Sequence, residues 1–364
     1  MTKQYSHAIV IDVSGHGFGH LGQITPVVQE LVARHPTARV IVRAAHAASV
    51  VRDFVGSGVE LDRAPPEATL VMRSPTIVDA AASAHAYRAL HAEWDAHLDR
   101  EAERLAALRP AVLVADVPYL SLAAAKRIGI PAIALCSLNW LDLYRTYCGA
   151  ERDAPEILRT MEAAYRSAGL FLQPRPHMPM SDLANRRSIG PIARIGRQRK
   201  DEIKTALGIP RNDRIVLVTF GGIRSGERLR LPDIAGVHWL VGGASPESPD
   251  NAIDVGRLDM SFIDILASCD AVVTKVGYGT FVEAACNGVG VVSMARADWP
   301  ESTPLIEWMQ QNANFALADG DSEEMPGLGA ALASVLNAAR KPSVPASGTA
   351  EAADIIESFG RLSE

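Results

Sequence analysis

The sequence predicts an α/β protein made of two doubly wound, Rossmann-like domains. Three observations carry that expectation. Short apolar runs alternate with helical stretches from one end of the chain to the other, the pattern of parallel strands covered by helices on both faces. The pattern lapses over Ser188 to Lys200 and then restarts, so one sheet does not account for the chain. Each half also holds a glycine-rich turn between an apolar run and a helical stretch, where open α/β sheets bind their ligands.

In the first half, Ala8 to Ile11, Val40 to Val42, Val112 to Ala115 and Ala132 to Leu135 read as buried strands. Ile24 to Ala33 reads as a helix. Leu90 to Leu108 carries apolar residues at helical spacing among charges and reads as one long amphipathic helix. In the second half, Ile215 to Val218, His238 to Val241, Ala271 to Val273 and Val289 to Met294 are the expected strands. Between the halves, Gly190-Pro191 and the basic Arg194, Arg197, Arg199 and Lys200 mark a linker. The expected division is an N-terminal domain over 1–188, a C-terminal domain over 200–345, and a closing segment over 346–364. A Pro- and Ser-bearing loop, Lys341 to Gly348, precedes a helix over Glu351 to Leu362.

Composition narrows the function classes. At 364 residues the chain is long enough for two full cores. Its formal net charge of -6 argues against general nucleic-acid binding, and 5% aromatic content argues against a base-stacking surface. No apolar run approaches the roughly 20 residues that span a bilayer. Met1 to His7 lacks an apolar signal core, so no cleaved targeting segment and a cytoplasmic location are expected. Cys136, Cys148, Cys269 and Cys286 have no metal-type pairing in sequence, and Cys136, Cys269 and Cys286 read as reduced core thiols.

The chemistry-bearing motifs sit at the turns. Gly15-His16-Gly17-Phe18-Gly19-His20 follows the first strand and precedes the first helix. Glycines let backbone approach a ligand, and the imidazoles of His16 and His20 are suited to taking a proton near pH 7. In the second half, Lys275-Val276-Gly277-Tyr278-Gly279-Thr280 joins a strand to a helix that carries Glu283. Gly277 and Gly279 expose backbone N–H groups, Thr280 adds a hydroxyl, and a helix start favours a pyrophosphate. A carboxylate such as Glu283 is a recurrent partner for a ribose diol. A further turn, Gly221-Gly222 with Arg224, follows the first strand of this half. Two glycine turns in two halves point to an enzyme handling a nucleotide-linked sugar.

These motifs resemble a known family. GHGFGH at 15–20, Val114-Ala115-Asp116-Val117-Pro118, Ser137-Leu138-Asn139-Trp140, Thr219-Phe220-Gly221-Gly222, the Lys275 to Glu283 segment and Arg296-Ala297-Asp298 with Glu301 look like a GT-B glycosyltransferase. The match is closest to the glycosyltransferase-like N-terminal part of plant arabinokinases and its free-standing bacterial relatives. The resemblance runs from about Ala8 to Asn314. It implies two Rossmann-like domains facing across a cleft, with the last helix returning to the N-terminal domain. It implies a nucleotide, UDP by expectation, on the C-terminal domain, with Met260 and its neighbours at the base. The acceptor then belongs to the N-terminal domain.

On that reading His20 is the base and Asp116 the carboxylate that orients it. His16, Asn139, Asp298 and Glu301 touch the sugar or acceptor. Gly221, Gly222, Arg224, Met260, Lys275, Gly277, Gly279, Thr280 and Glu283 hold the nucleotide. Trp140 joins Asn139 on the acceptor side. Plainer readings are a helix cap or turn former for Asp116, core for Trp140, surface charge for Glu283 and a solvated strand end for Lys275. Asp319-Gly320-Asp321 reads as a solvated acidic turn, so no metal and no cofactor beyond the nucleotide sugar are expected. The expected reaction is metal-independent, inverting sugar transfer. The alternatives are a nucleotide-sugar hydrolase and a non-catalytic nucleotide-sugar binding module.

Overall fold

A computed structural model describes residues 8–74, 77–220, 231–242, 251–294, 296, 298–318 and 327–362. The chain divides into two compact units. The first comprises residues up to Arg73, Ile77–Ile192 and Ala346 onward, and the second runs mainly over Ala193–Pro345. The unit border thus falls inside the stretch read as a linker.

The first unit is built from β1 (Ala8–Val13), α1 (Gly19–Arg34), β2 (Arg39–Ala44), α2 (Ala48–Val55), β3 (Glu60–Arg63), α3 (Ala80–Ala92), α4 (Trp94–Leu108), β4 (Pro110–Asp116), α5 (Tyr119–Arg127), β5 (Ala132–Leu135), α6 (Trp140–Cys148), α7 (Ala154–Ser167), β6 (Leu170–Pro174) and β7 (Arg186–Ile189). Its seven strands are all parallel, in the order β3-β2-β1-β4-β5-β6-β7. The order reverses between β1 and β4, which makes the gap beyond their carboxyl ends the switch point of this sheet.

The second unit contains α8 (Lys200–Leu207), β8 (Arg214–Val218), β9 (Val237–Val241), β10 (Ala252–Asp254), α9 (Phe262–Ser268), β11 (Ala271–Lys275), α10 (Tyr278–Cys286), β12 (Gly290–Met294), α11 (Ser302–Asn312), β13 (Phe315–Ala318) and α12 (Leu328–Asn337). The six strands are again parallel, in the order β10-β9-β8-β11-β12-β13, and this sheet reverses between β8 and β11. The last helix, α13 (Gly348–Gly360), belongs to the first unit. It packs beside α1, where Arg34 donates to Asp354 at 2.6 Å, and its apolar face joins the core beneath β1 and β4.

Several expectations need correction. The helix expected over Leu90 to Leu108 is two helices, broken at Glu93. The break lets Trp94 lie flat against both His91 (5.1 Å, 11°) and Tyr119 (5.7 Å, 14°), an aromatic stack that a straight helix would not build. β1 does not stop at Ile11. It continues through Asp12 because Arg43, its register partner on β2, forks onto that carboxylate at 2.6 Å twice, with Glu101 of α4 completing a buried ion cluster. β3, β6, β7, β10 and β13 are strands the pattern missed; β3 and β7 are polar sheet edges with little apolar signal. From Ala193 onward, the stretch read as a linker is fastened into the second unit. Gly196 N–H donates to Asn287, Arg197 N–H donates to Asp264, and a Cβ at Gly196 would lie only 2.2 Å from the Ile263 carbonyl oxygen. An extended segment held by such tertiary bonds has no periodicity to read.

Candidate functional site

The first candidate site grows from the β1–β4 switch point. β1 is fully buried, and its ladder with β4 extends past the strand end through Ser14 N–H donating to the Asp116 carbonyl at 2.6 Å. The chain then turns through the glycines into α1, which begins at Gly19, earlier than the apolar pattern shows. His20 therefore sits in the first turn of α1, and Asp116 ends β4. Sequence separation of 96 residues becomes contact: His20 Nδ1 lies 2.7 Å from Asp116 Oδ1. Both side chains are buried, at 7% and 0% exposure. Asp116 Oδ2 is buried with no hydrogen-bond partner among the described residues. Cys136, just past β5, places Sγ 3.7 Å from the same His20 nitrogen.

Among the described residues, His20, Asp116 and Cys136 form the one group whose ligand atoms, all within 4.8 Å of one another, are of types that bind metals. The 2.7 Å N···O separation is that of a direct hydrogen bond. Two ligands on one tetrahedral zinc sit about 3.3 Å apart, given metal–ligand bonds of about 2.0–2.1 Å. The pair as it stands is therefore arranged for a proton between N and O. With Nδ1 bound to Asp116, proton exchange with a substrate falls to Nε2.

The other imidazole, His16, is half-buried and meets the Trp140 ring edge-on at 5.2 Å, while His20 packs on the same indole at 5.7 Å. Trp140 itself is fully buried, as the core reading has it. Its Nε1–H donates to Glu67 Oε1 at 2.9 Å. The other oxygen of Glu67 accepts from Ser14 Oγ (3.1 Å) and Gly15 N–H (3.0 Å). Glu67 thus ties the glycine turn to the indole under both imidazoles. Burial pushes its carboxyl above the usual range, against the pull of those donors and of His20. Sequence reasoning missed Glu67, because it lies in a loop with no motif and its partners are 52 to 73 residues away. From the far side of the turn, His46 Nε2 donates to the Gly17 carbonyl at 2.9 Å.

Asn139 is not arranged to hold an acceptor. It is the N-cap of α6: its Oδ1 accepts from Asp142 N–H at 2.7 Å and its Nδ2 donates to Asp142 Oδ2 at 3.1 Å. With both ends of the amide bound and the residue fully buried, capping uses its polar capacity.

The second candidate site lies at the β8–β11 switch point. β11 ends at Lys275, and Gly277 caps α10 with extended backbone. A Cβ at Gly277 or Gly279 would meet nothing within 4 Å, so both glycines border open space. The helix geometry leaves the N–H groups of its first turn, Gly279 and Thr280 among them, without intrahelical acceptors. Lys275 is no solvated strand end. It is half-buried, and burial together with nearby Arg296 pushes its ammonium down to about 8.

Glu283 is no surface charge either. It is buried at 4% exposure, and Arg194 donates to both its oxygens at 2.5 and 3.1 Å. Burial raises its pKa against the attraction of Arg194. Arg194 lies in the stretch read as linker, which is why the sequence concealed the pair; its guanidinium also stands 5.9 Å from the Phe262 ring centroid. Met260 is half-buried just before α9. Asp298 is exposed, whereas Glu301 is buried and accepts from Trp299 Nε1 at 3.3 Å. Gly221, Gly222, Arg224, Asp319 and Asp321 lie outside the described residues.

Comparison with solved structures decides the fold. The glycosyltransferase of kitacinnamycin matches with a TM-score of 0.63 over 98% of this chain and 99% of that one, at 17% identity. The glycosyltransferase SnogD from Streptomyces nogalater matches at 0.59, covering 98% and 100%, with 16% identity. The chain has the GT-B glycosyltransferase fold. No family model matches this GT-B chain. A curated relative, L-arabinokinase from Arabidopsis thaliana, is 27% identical over 308 residues, which are 82% of this chain and 29% of that protein. The sequence resemblance to plant arabinokinases is therefore found, and the chain spans under a third of that relative's length. No helix among the described residues is long and apolar enough to cross a membrane.

Proposed function

We propose that this GT-B protein transfers a sugar from a nucleotide diphosphate, UDP in the first instance, to an acceptor held by the first unit. The observation that carries the reading is the buried contact of His20 with Asp116 at the switch point of the first sheet. A buried carboxylate on Nδ1 fixes the tautomer and stabilises the imidazolium, which makes Nε2 a competent general base. In the proposed step, an acceptor hydroxyl loses its proton to Nε2 as its oxygen bonds the anomeric carbon. The bond from that carbon to the diphosphate breaks, and its electron pair leaves on the diphosphate oxygen. A single displacement of this kind inverts the anomeric carbon.

The second unit supplies the other half of the chemistry. Charge developing on the diphosphate is met by the first-turn N–H groups of α10 and by Lys275. Such donors support transfer without a divalent ion. Glu283 addresses the ribose from its bond to Arg194. The glycosyltransferase neighbours and the arabinokinase match support the class of reaction, while the fold by itself hosts other chemistries. Location in the cytoplasm is proposed on the same footing.

One experiment tests the reading. A thermal-shift panel of nucleoside diphosphates and their sugars is followed by turnover assays of each hit, with and without hydroxylated acceptors. Stabilisation by a uridine diphosphate sugar and acceptor-dependent release of UDP are expected. Release of free sugar at the same rate without acceptor would replace transfer by hydrolysis. Tight binding without any release would reduce the protein to a binding module.

A further inference from the structure

The second unit carries a cleft at the end of its sheet opposite the Gly277 turn. It opens where β8, β11, β12 and β13 begin, is open to solvent, and has a volume of about 150 Å³. Its charged lining is four cations, Lys200, Arg214, Arg340 and Lys341, against one carboxylate, Asp270. This concentration of positive charge stands out on a chain whose formal net charge is -6.

The one carboxylate is already satisfied. Asp270 accepts from Lys200 Nζ at 2.5 Å, from Arg214 Nη1 at 3.0 Å and from Ile215 N–H at 2.9 Å. Burial works to raise its pKa, but these donors outweigh it and hold the carboxyl below its usual range, so it stays ionised and shared. It does not neutralise the rest of the cleft. Arg340 spends only Nε, on the Gly288 carbonyl at 3.0 Å, and Lys341 Nζ holds the carbonyls of Gln310 and Gln311 at the end of α11. The remaining N–H groups of Arg214 and Arg340 have no acceptor among the described residues, and a guanidinium edge is matched to phosphate. The two guanidiniums are anchored at different points, one on Asp270 before β11 and one on Gly288 before β12. Two separately anchored guanidiniums match a ligand with more than one anionic group.

We propose that this cleft is a binding site for a small molecule carrying at least two phosphate groups, separate from the nucleotide turn. It lies at the amino ends of the strands, whereas the Gly277 turn lies at the carboxyl ends, so occupancy of one leaves the other open. The proposal is independent of the transfer reaction.

Inorganic pyrophosphate is the probe, followed by calorimetry on the full chain carrying Gly277→Val. That substitution crowds the nucleotide turn at a position with extended backbone and open space, so the chain is expected to fold. In this background pyrophosphate binds, orthophosphate binds more weakly, and either Arg340→Gln or Arg214→Gln weakens pyrophosphate about tenfold, the usual loss for one charge-assisted contact. Arg340→Lys keeps the charge, loses the planar fork and gives a smaller loss, which supplies the same reading in a milder variant. No binding at millimolar pyrophosphate in the Gly277→Val background, or affinity unchanged by both glutamine variants, overturns the proposal.

Discussion

The two sheets share the order of their first six strands and reverse at the same place, yet they equip the switch point differently. In the first unit the site is made of side chains that hold one another: Asp116 holds His20, Glu67 holds Ser14, Gly15 and Trp140, and both imidazoles rest on that indole. In the second unit it is made of backbone bordering open space at Gly277 and Gly279, with Lys275 and the Arg194–Glu283 pair around it. A proton-transfer site needs orientation fixed to a fraction of an ångström, which packed side chains provide. A phosphate site needs N–H donors and room, which glycines at a helix start provide. The same topology thus lends itself to two tasks.

The sharpest way to break the comparison is to remove the base. His20→Ala is expected to lower kcat by about 10²–10⁴-fold while UDP affinity stays constant. Asp116→Asn gives a smaller loss in the same direction, because it orients and does not react. Measured kcat and calorimetric UDP affinity check both; near-normal turnover in His20→Ala would move the role to His16.

Glu283 tests the other switch point. Glu283→Ala is expected to weaken UDP by about 1–3 kcal/mol through lost charge-assisted hydrogen bonds. It also strands Arg194, so the melting temperature falls. Calorimetry showing unchanged UDP affinity beside a lowered Tm would make Glu283 purely a partner of Arg194.

Glu67 sharpens the claim that the first site is held by its own side chains. Glu67→Gln keeps an acceptor for Trp140 but turns an amide toward the Ser14 and Gly15 donors. A loss of one such bond, about 1 kcal/mol, corresponds to roughly fivefold in kcat with the KM for the nucleotide sugar unchanged. Equal effects on both parameters would place Glu67 in donor binding instead.

The smallest expected effect is a proton. Lys275, pushed down to about 8 by burial and Arg296, is largely neutral above that pH in the unliganded protein. A bound diphosphate favours the ammonium, so UDP binding above pH 8 takes up a proton. Its folded pKa lies below the ordinary lysine value, so folding stability rises with pH from about 8 toward the unfolded value and gains nothing below that window. Calorimetry in buffers of different ionisation enthalpy reads the uptake; none at pH values above 8 would remove Lys275 from the phosphates.

The sequence by itself determined the class of fold, the restart of the pattern near residue 190, and the two glycine turns, because these depend on local period and on residues that act within one turn. Apolar runs at β1, β4, β5, β8 and β11 are strong signals since both faces of a parallel strand are buried. Only the tertiary structure decided which polar residues meet. Asn139 reads in sequence as an acceptor contact and Asp116 as an orienting carboxylate or a turn former, but one spends its side chain on a helix cap and the other on an imidazole 96 residues away. Glu67 and Arg194 carry no local signal, because a half-buried carboxylate or guanidinium is defined by distant partners and not by neighbours in the chain. Periodicity reports which face of an element is buried, and it is silent on the long-range pairings that make a site.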